Sequence, residues 1–565
     1  MKKIAIILTL CGVFGIGQNL LGQQANIMYF MKDNPLQHNL NPAFQPECNF
    51  YIGFPGFSSL NVSAGNNSLT FSDIYYGKVI DGRRQTVSFL HPTMGQEGID
   101  HFLKTLRNNT RLYSNVGISI LSFGFRADKS YFTFDVSNRL EAQMIVPKAI
   151  PAVFFRGVQD EDGETVFSLR NLSVSTTAYT QLALGYSLDL DEQWNVGTKF
   201  KFLLGHANLN SDFGDLSLKI SKERWLLSGN SSIRTSAPGL VIPEREDGTL
   251  DLDSIFDFNK GDLRFSNLIS GTGAGIDLGV TYNLLENLQF SASVVDLGFI
   301  RWSKNLHKIR KEGDFEFDGI VYDINNDSIN YWDEYRDMLE SMYAVENNPA
   351  AYKTWLTTKI HAGVEYSILN DKIGFGLLSK TYVTNKKMFE ELIISSNFRP
   401  FYPLSVSLGY SLFDGRWSNL GCGLNVNAGP VNFFLSADNI PLKYAKGGGM
   451  LIPTNTKAMH VSMGMNFVFG RKKEAVKPDP VENEPLGSDS NGLNKPEEQV
   501  DDPNMEKNIP EKEGELQPEE ALNELDKLSE EEIDSEGIEE TELLIESNSG
   551  DDEPDADSQE GELDN

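Results

Sequence analysis

The chain has 565 residues, with 49 Lys and Arg against 80 Asp and Glu, for a formal net charge of −31. The surplus lies at one end: residues 474–565 hold 34 acidic and 5 basic residues, while all 60 aromatic residues precede position 471. The body, at −2, is near neutral and alone can bury a large apolar surface. A clustered basic face for nucleic acid is excluded.

Lys2 and Lys3 precede an apolar run from Ile4 to Ile16, followed by the small and polar stretch Gly17 to Ala25. This is the layout of a secretory signal peptide, expected over residues 1–22 with cleavage near Gly22 or Gln23. The run is shorter than the roughly 20 residues a membrane-spanning helix needs. Cys11 lacks the preceding small residue of a lipid-attachment site, which leaves Cys48 and Cys422 in the mature chain. Two cysteines are too few for a disulfide framework, and both are read as packing residues. No later apolar run reaches 18 residues and mean hydropathy is −0.31, so a soluble exported protein and a transmembrane β-barrel remain.

Residues 23–470 read as an all-β domain, a closed antiparallel transmembrane barrel. After a loop-like stretch from Asn66 to Asn115, with a helix expected over Gly98 to Asn108 and a role as plug or long loop, strict alternation begins. Leu182, Leu184, Tyr186 and Leu188 oppose Gln181, Ala183, Gly185 and Ser187. A second long loop is expected from Arg234 to Phe265. Ile276, Leu278, Val280, Tyr282 and Leu284 then oppose Asp277, Gly279, Thr281 and Asn283. The insertion 304–358 carries a helix expected over Trp332 to Asn347, whose stripe of Trp332, Tyr335, Met338, Leu339 and Met342 suits packing against its own scaffold.

Beyond it, Leu404 to Ser411, Leu420 to Asn427 and Met459 to Gly470 alternate again, with short turns near Leu188–Gln193, Asn283–Asn287, Asn370–Lys372 and Gly429-Pro430. The polar faces are rich in Gly, Ser and Asn and low in charge, which suits a barrel interior better than a water-exposed sandwich face. About 14 to 16 strands are expected, an even number closing such a barrel. Residues 471–565 form an acidic tail of disordered composition with one conditionally helical stretch around Ala521, Leu522, Leu525 and Leu528.

The segments Gly271 to Tyr282 and SASVVDLGFIRW (Ser291 to Trp302), with His38 to Asn66, Ala183 to Asn208 and Leu420 to Ile440, resemble one known group. It is the Bacteroidetes-type outer-membrane β-barrel family of unknown function, related to fatty-acid-transporter barrels and to type IX secretion barrels. The tripeptide Asn41-Pro42-Ala43 is similar to one in the secretion-associated barrels. The resemblance covers about residues 25–470 and implies a barrel in the outer membrane, in contact with its lipid, with no enzymatic activity and no assigned ligand. The matching positions Gly271, Gly273, Gly275, Asp277, Asp296, Gly298, Trp302 and Asp438 are read as structural. The glycines allow close approach of strands or tight curvature; Asp296 and Asp438 are expected at strand ends where the chain turns.

Other chemistry finds no support in the sequence. Gly271-Thr-Gly273-Ala-Gly275 is followed by an alternating strand and not by a helix, so it is no dinucleotide loop. Lys446-Gly-Gly-Gly449 lacks a following Lys-Ser or Lys-Thr. Asp323, Asn325, Asp327 and Glu334 follow calcium-loop spacing, but Ser328 stands where glycine is required. The seven histidines show no metal-ligand spacing, and no nucleophile elbow occurs. Neither a cofactor nor a catalytic site is expected. Two functions remain: a scaffold in a surface or secretion assembly, and a transporter-like channel for hydrophobic or small solutes. Both chain ends are expected in the periplasm, where the tail could meet a protein partner; co-purification of a stoichiometric partner discriminates the two functions, and a filled lumen argues against an open pore.

Overall fold

The computed structural model describes residues 26–471 except 81, 157–164, 222–223, 246–247, 252–266, 312, 318–339, 347, 384–387, 402, 414–415, 441–443, 448–449 and 454–456. The expected signal peptide, the tail and the calcium-like residues Asp323, Asn325, Asp327 and Glu334 lie outside the described residues.

The architecture is all-β, a closed antiparallel barrel of 14 strands. Strand β1 is interrupted, running Cys48–Gly53 and then Ser59–Asn66. There follow β2 (Asn109–Ala127), β3 (Ser130–Pro147), β4 (Ser173–Asp189), β5 (Trp194–Asp212), β6 (Gly271–Leu285) and β7 (Leu288–Trp302). The circuit continues through β8 (Thr358–Ile368), β9 (Ile373–Val383), β10 (Met388–Phe401), β11 (Leu404–Phe413), β12 (Arg416–Ala428), β13 (Val431–Ile440) and β14 (Ala458–Arg471). Each strand pairs with the next, and β1 closes the sheet by pairing with both β2 (Val62 opposite Val116) and β14 (Phe50 opposite Phe469). Closure removes the sheet edge that could not be satisfied in lipid.

Among the described residues no helix is long and apolar enough to cross a membrane, and the crossing elements are the strands. The period-2 pattern sets their faces. His460, Ser462, Gly464 and Asn466 turn into the barrel, and so do Gln181, Ala183, Gly185 and Ser187. Outward stand Leu184, Phe200, Phe202, Leu278, Leu297, Leu377, Ile394 and Leu408. One rim carries a ring of exposed aromatics, among them Phe50, Phe125, Phe132, Tyr186, Trp194, Tyr366, Phe375, Phe398, Phe433 and Phe469. An apolar band bordered by an aromatic girdle is the surface of a lipid-embedded barrel.

The two rims differ. At the aromatic rim the strands are joined by short turns: Asp128-Lys129, residues 190–193, Glu286-Asn287, residues 369–372 and Gly429-Pro430. The expected hairpins fall here, and Asp191 Oδ1 accepts from the amides of Gln193 and Trp194 to close one of them. The chain enters β1 and leaves β14 at this rim, where Cys48 opposes Arg471. The opposite rim bears the long connections. Residues 67–108 contain the hairpin Tyr75–Ile80 with Arg83–Ser88 and helix α1 (Gly95–Thr105). Phe89, Phe102, Leu103 and Leu106 pack there against Phe155 of helix α2 (Ala149–Arg156).

Several expectations shift. The segment Asn66 to Asn115 is a folded cap on the long-loop rim, not a lumen plug; its helix runs Gly95–Thr105, and from Asn109 the chain is already strand β2. The helix expected over Trp332 to Asn347 falls mostly outside the described residues. Of its described part, Glu340 to Met342 are helical as expected, and Ala344–Glu346 is a strand paired with Leu306–Lys311. The interval from Arg234 opens as strand, Ser231–Ser236, which pairs antiparallel with the end of β5 and with Leu306–Lys311. Cys48 and Cys422 are free thiols.

Candidate functional site

Residues 26–47 do not alternate, because they are neither strand nor tail. They thread the barrel interior from near the long-loop rim down to β1. Ile27, Met28, Tyr29, Phe30, Met31, Leu36 and Leu40 are all buried, packing against wall residues Tyr51, Tyr131, Leu378, Ile393 and Phe434. Tyr29 meets Phe30 and Phe44 edge-on at 5.0 and 5.1 Å. The lumen is filled by this plug.

Polar contacts hold the plug along its whole length. At the top, the Asn26 amide donates to Asp438 Oδ2 (2.5 Å), Asn26 Nδ2 donates to Glu391 Oε2 (2.7 Å) and Lys380 Nζ donates to Asn26 Oδ1 (2.7 Å). Lower down, Arg399 Nη2 donates to the Phe30 carbonyl (2.8 Å), and Lys32 pairs with Glu365 (3.2 Å). Tyr29 Oη donates to Ser291 Oγ (3.1 Å), and Ser293 Oγ donates to the Leu40 carbonyl (2.8 Å).

His38 belongs to a closed ring of hydrogen bonds. Lys199 Nζ donates to His38 Nδ1 (2.8 Å), to Asn39 Oδ1 (2.6 Å) and to Asp135 Oδ2 (3.1 Å). With Nδ1 accepting, Nε2–H donates to Tyr51 Oη (2.7 Å); Tyr51 Oη is 3.2 Å from Ser122 Oγ, which donates to Asp135 Oδ1 (2.6 Å). Because the Lys199 ammonium can only donate, His38 Nδ1 accepts and the imidazole is the neutral partner in this ring.

Asn41, Pro42 and Ala43 lie close against the wall. Asn41 Nδ2 reaches the carbonyls of Val280 (3.4 Å) and Ala292 (3.3 Å), and its Oδ1 accepts from the Ala43 amide (3.0 Å). Two wall glycines make room. A Cβ on Gly279 would stand 2.0 Å from Asn41 Oδ1, and one on Gly197 would stand 2.1 Å from the Pro42 carbonyl oxygen.

The remaining signature residues gather on β6 and β7. A register shift sets Val295 and Asp296 together against Asp277, a bulge in which Asp296 takes φ 61°. The bulge turns Asp296 inward, and its amide donates to Asp277 Oδ1 (2.7 Å). Lys201 Nζ then lies 2.6 Å from Asp277 Oδ1 and 2.5 Å from Asp296 Oδ1, while Lys359 Nζ lies 2.6 Å from Asp296 Oδ2. A second shift sets Asp438 and Asn439 against Gly421, with φ 61° at Asn439. Asp296 is thus not at a strand end, as the sequence led us to expect, but at a bulge inside β7, whereas Asp438 sits at a bulge two residues from the end of β13; both carboxylates face the lumen.

Gly275 faces Gly298 across β6 and β7, and Gly273 faces Ile300; a Cβ on Gly273 would stand 2.0 Å from the Phe299 oxygen and one on Gly298 2.6 Å from the Ala274 oxygen. Gly271 packs under Trp302, and Gly275 has no contact that tight. Trp302 is fully buried; its Nε1 donates to Thr354 Oγ1 (2.8 Å), and with Tyr179, Leu203, Ile300, Tyr352 and Leu356 it fills the lumen near the long-loop rim.

The interior is also not low in charge. Asp135, Lys199, Lys201, Asp277, Asp296, His361, Glu365, Lys380, Glu391 and Asp438 are all buried there. Inward alternation on β3, β5, β9 and β10 could have shown these groups; the small-residue strands concealed them. Among the described residues no cluster of His, Cys, Asp and Glu suits a metal ion.

Two cavities flank the plug. One of about 230 Å³, toward the long-loop rim, is lined by polar groups including Arg111, Glu141, Gln143, Glu391, Asn439 and His460. The other, about 400 Å³, lies at the short-turn rim beside Lys32, Glu47, Arg126, Asp191 and Glu365.

No curated protein matches the chain. Among solved structures, the toluene transporter TodX of P. putida aligns at 9% identity and TM-score 0.34, covering 81% of this chain and 97% of that one. A Pseudomonas aeruginosa FadL homologue aligns at 10% identity and TM-score 0.34, covering 80% and 99%. The translocator domain of the autotransporter NalP from Neisseria meningitidis aligns at 8% and 0.26, covering 74% and 88%. Likeness at these levels says nothing about what the chain carries. The family model is decisive in a different way: a family of unknown function (DUF5723) matches residues 42–438, from Pro42 beside Gly197 to Asp438 at the second bulge, and the chain belongs to that family.

Proposed function

We propose that the protein is an outer-membrane barrel, closed at rest, that passes a small polar or amphipathic solute when the Asn26–Glu47 segment moves. The observation that carries this reading is the set of ionisable side chains turned into the lumen: Asp135, Lys199, Lys201, Asp277, Asp296, Lys380, Glu391 and Asp438. Ionisable groups at membrane depth are expensive, and they are a mark of solute and ion pathways. An anchor alone could fill its interior with Leu and Phe. The plug runs between the rim that holds one cavity and the rim that holds the other, and its displacement is the motion this reading requires. Arg111, Glu141, Gln143 and His460 along the upper cavity suit hydroxyl or charged groups on a solute better than a hydrocarbon.

In this reading the short-turn rim faces the periplasm, as in bacterial barrels generally, and the acidic tail leaves β14 on that side, available to a periplasmic protein. Planar-bilayer recording tests the gate. The intact protein should conduct little, and a variant lacking residues 26–44 should conduct steadily. If the shortened barrel keeps its resistance to SDS yet stays as silent as the intact one, the reading fails.

A second reading, a scaffold in a surface or secretion assembly, has its own support in the long-loop structures. Phe154 (81% exposed), Val79 (73%) and Val166 (61%) stand on that side in water. A scaffold should retain a stoichiometric partner through purification in mild detergent, and a solute barrel should purify alone.

A further inference from the structure

On the outer wall, β7 turns Phe290, Ala292, Val294, Leu297 and Phe299 outward and then becomes polar at Arg301. Phe290 lies opposite Tyr282, whose ring packs 4.5 Å from Trp194 of the aromatic rim. At about 3.3 Å per residue and a tilt of roughly 40°, β7 climbs about 25 Å from Phe290 to Arg301, the height of the apolar band. Arg301 therefore stands where the headgroups of the leaflet on the long-loop side begin. Strand register sets Thr272 of β6 on one side of it and Lys353, on the short strand Tyr352–Trp355, on the other; all three are exposed. Two cations directly opposite one another repel. Among the described residues, neither Arg301 nor Lys353 has a carboxylate or any other side-chain acceptor. The row beneath is aromatic: Phe299 meets Trp355 edge-on at 5.6 Å, and Lys353 Nζ lies 4.8 Å over the Phe299 ring. On the other side of Phe299, the short side chain of Ala274 leaves a notch between it and Phe202.

We propose that Thr272, Arg301 and Lys353 seat the phosphate of an anionic lipid in the leaflet on the long-loop side, with its hydrocarbon lying over Ala274, Phe299 and Trp355. A guanidinium offers two parallel donors to phosphate oxygens, an ammonium adds a compact positive charge, and the Thr272 hydroxyl is a further donor. An anion between Arg301 and Lys353 turns their repulsion into two attractions. The aromatic row decides which anion. Phe299 and Trp355 continue the lipid-facing surface without a break, so the occupant that covers the whole patch carries a charged head and an apolar tail. A free anion would touch the upper row alone, at an exposed place where salt screens it. The seat rests on the reading of an outer-membrane barrel and is independent of the gate: it lies on the outside of the wall, and residues 26–47 lie inside.

The test uses the full-length protein purified from membranes in a non-ionic detergent and read by native mass spectrometry. Dioleoylphosphatidic acid is the probe, with dioleoylphosphatidylcholine and inorganic phosphate as controls. The wild type should hold one molecule of the probe at least about tenfold more tightly than the double variant Arg301→Gln with Lys353→Gln does, and inorganic phosphate should not displace it. Equal binding by the two proteins overturns the seat; displacement by inorganic phosphate assigns it to a free anion and overturns the lipid. Both substitutions fall on exposed side chains and end a repulsion, so in detergent freed of anionic lipid the variant should resist heat and SDS at least as well as the wild type. If the variant does not assemble, the wild type decides alone: equal retention of phosphatidic acid and phosphatidylcholine overturns the seat. A photo-crosslinking residue at position 353 in intact membranes should capture lipid, and capture of a protein chain there overturns the proposal in favour of a protein interface. A barrel that stays silent after loss of residues 26–44 leaves the seat standing, and failure to bind the probe leaves the gate standing.

Discussion

Lys199 and Lys201 stand two residues apart on β5, face the same lumen and are both buried, yet they hold different things. Lys201 is met only by the wall, by Asp277 on β6 and Asp296 on β7, and Asp296 also takes Lys359 on β8. Lys199 is shared between the wall, at Asp135 on β3, and the plug, at His38 and Asn39. One ammonium staples consecutive strands across a bulge, and the other clamps a segment that could leave. A buried ion pair is weak evidence for net stability, but removal of one partner strands a charge. The lower part of the lumen therefore separates into a cluster that maintains the barrel and a cluster that maintains its closure.

The largest effect should come from breaking the wall cluster. Asp296→Ala leaves Lys201 and Lys359 facing each other without their shared carboxylate, and should cost about 3–5 kcal/mol of barrel stability. Urea unfolding of the folded barrel in lipid, followed by tryptophan fluorescence, measures it. A loss below about 1 kcal/mol would mean that the cluster is screened by water and is no staple.

Gly279→Val should act on the plug first. Its Cβ would fall 2.0 Å from Asn41 Oδ1, and either the Asn41-Pro42-Ala43 turn gives way or β6 shifts. Overpacking of this kind costs about 1–3 kcal/mol. The expected result is a folded barrel with raised conductance. An unchanged conductance at an unchanged stability would show that the plug can repack around the added methyls.

The outward half of this structure was legible in the sequence because lipid imposes a strict rule on it. Leu184 and Tyr186, or Met463 and Met465, had to alternate with small residues wherever a strand crosses the bilayer. The inward half obeys no such single rule. Lys199 meets Asp135 across 64 positions and Lys201 meets Asp296 across 95, pairings that only strand register creates. The bulge at Asp296 did leave a trace: Val294-Val295-Asp296-Leu297 slips the alternation by one residue, and Asp is among the residues that tolerate positive φ. The plug left none beyond Asn41-Pro42-Ala43. Residues 26–47 read as a connector between leader and first strand, since their burial comes from being surrounded and not from a period of their own.

The smallest expected change in stability, and the one that most sharpens the contrast between the two lysines, comes from removing the Lys199 pair as a unit. Lys199→Met with Asp135→Asn deletes both charges at nearly constant volume, so neither is left unpaired. Replacing a buried pair by neutral groups of similar size is often close to neutral, and a change within about 1.5 kcal/mol is expected. The plug, however, loses the donor that His38 and Asn39 share, while Tyr51 remains on the other side of His38. Conductance should therefore rise although unfolding barely moves. Removing one partner of the wall cluster, as in Asp296→Ala, should do the reverse, lowering barrel stability through the stranded lysines while the plug stays shut. If both replacements shift conductance and stability together, wall and plug are one cooperative unit, and the division drawn between Lys199 and Lys201 is wrong.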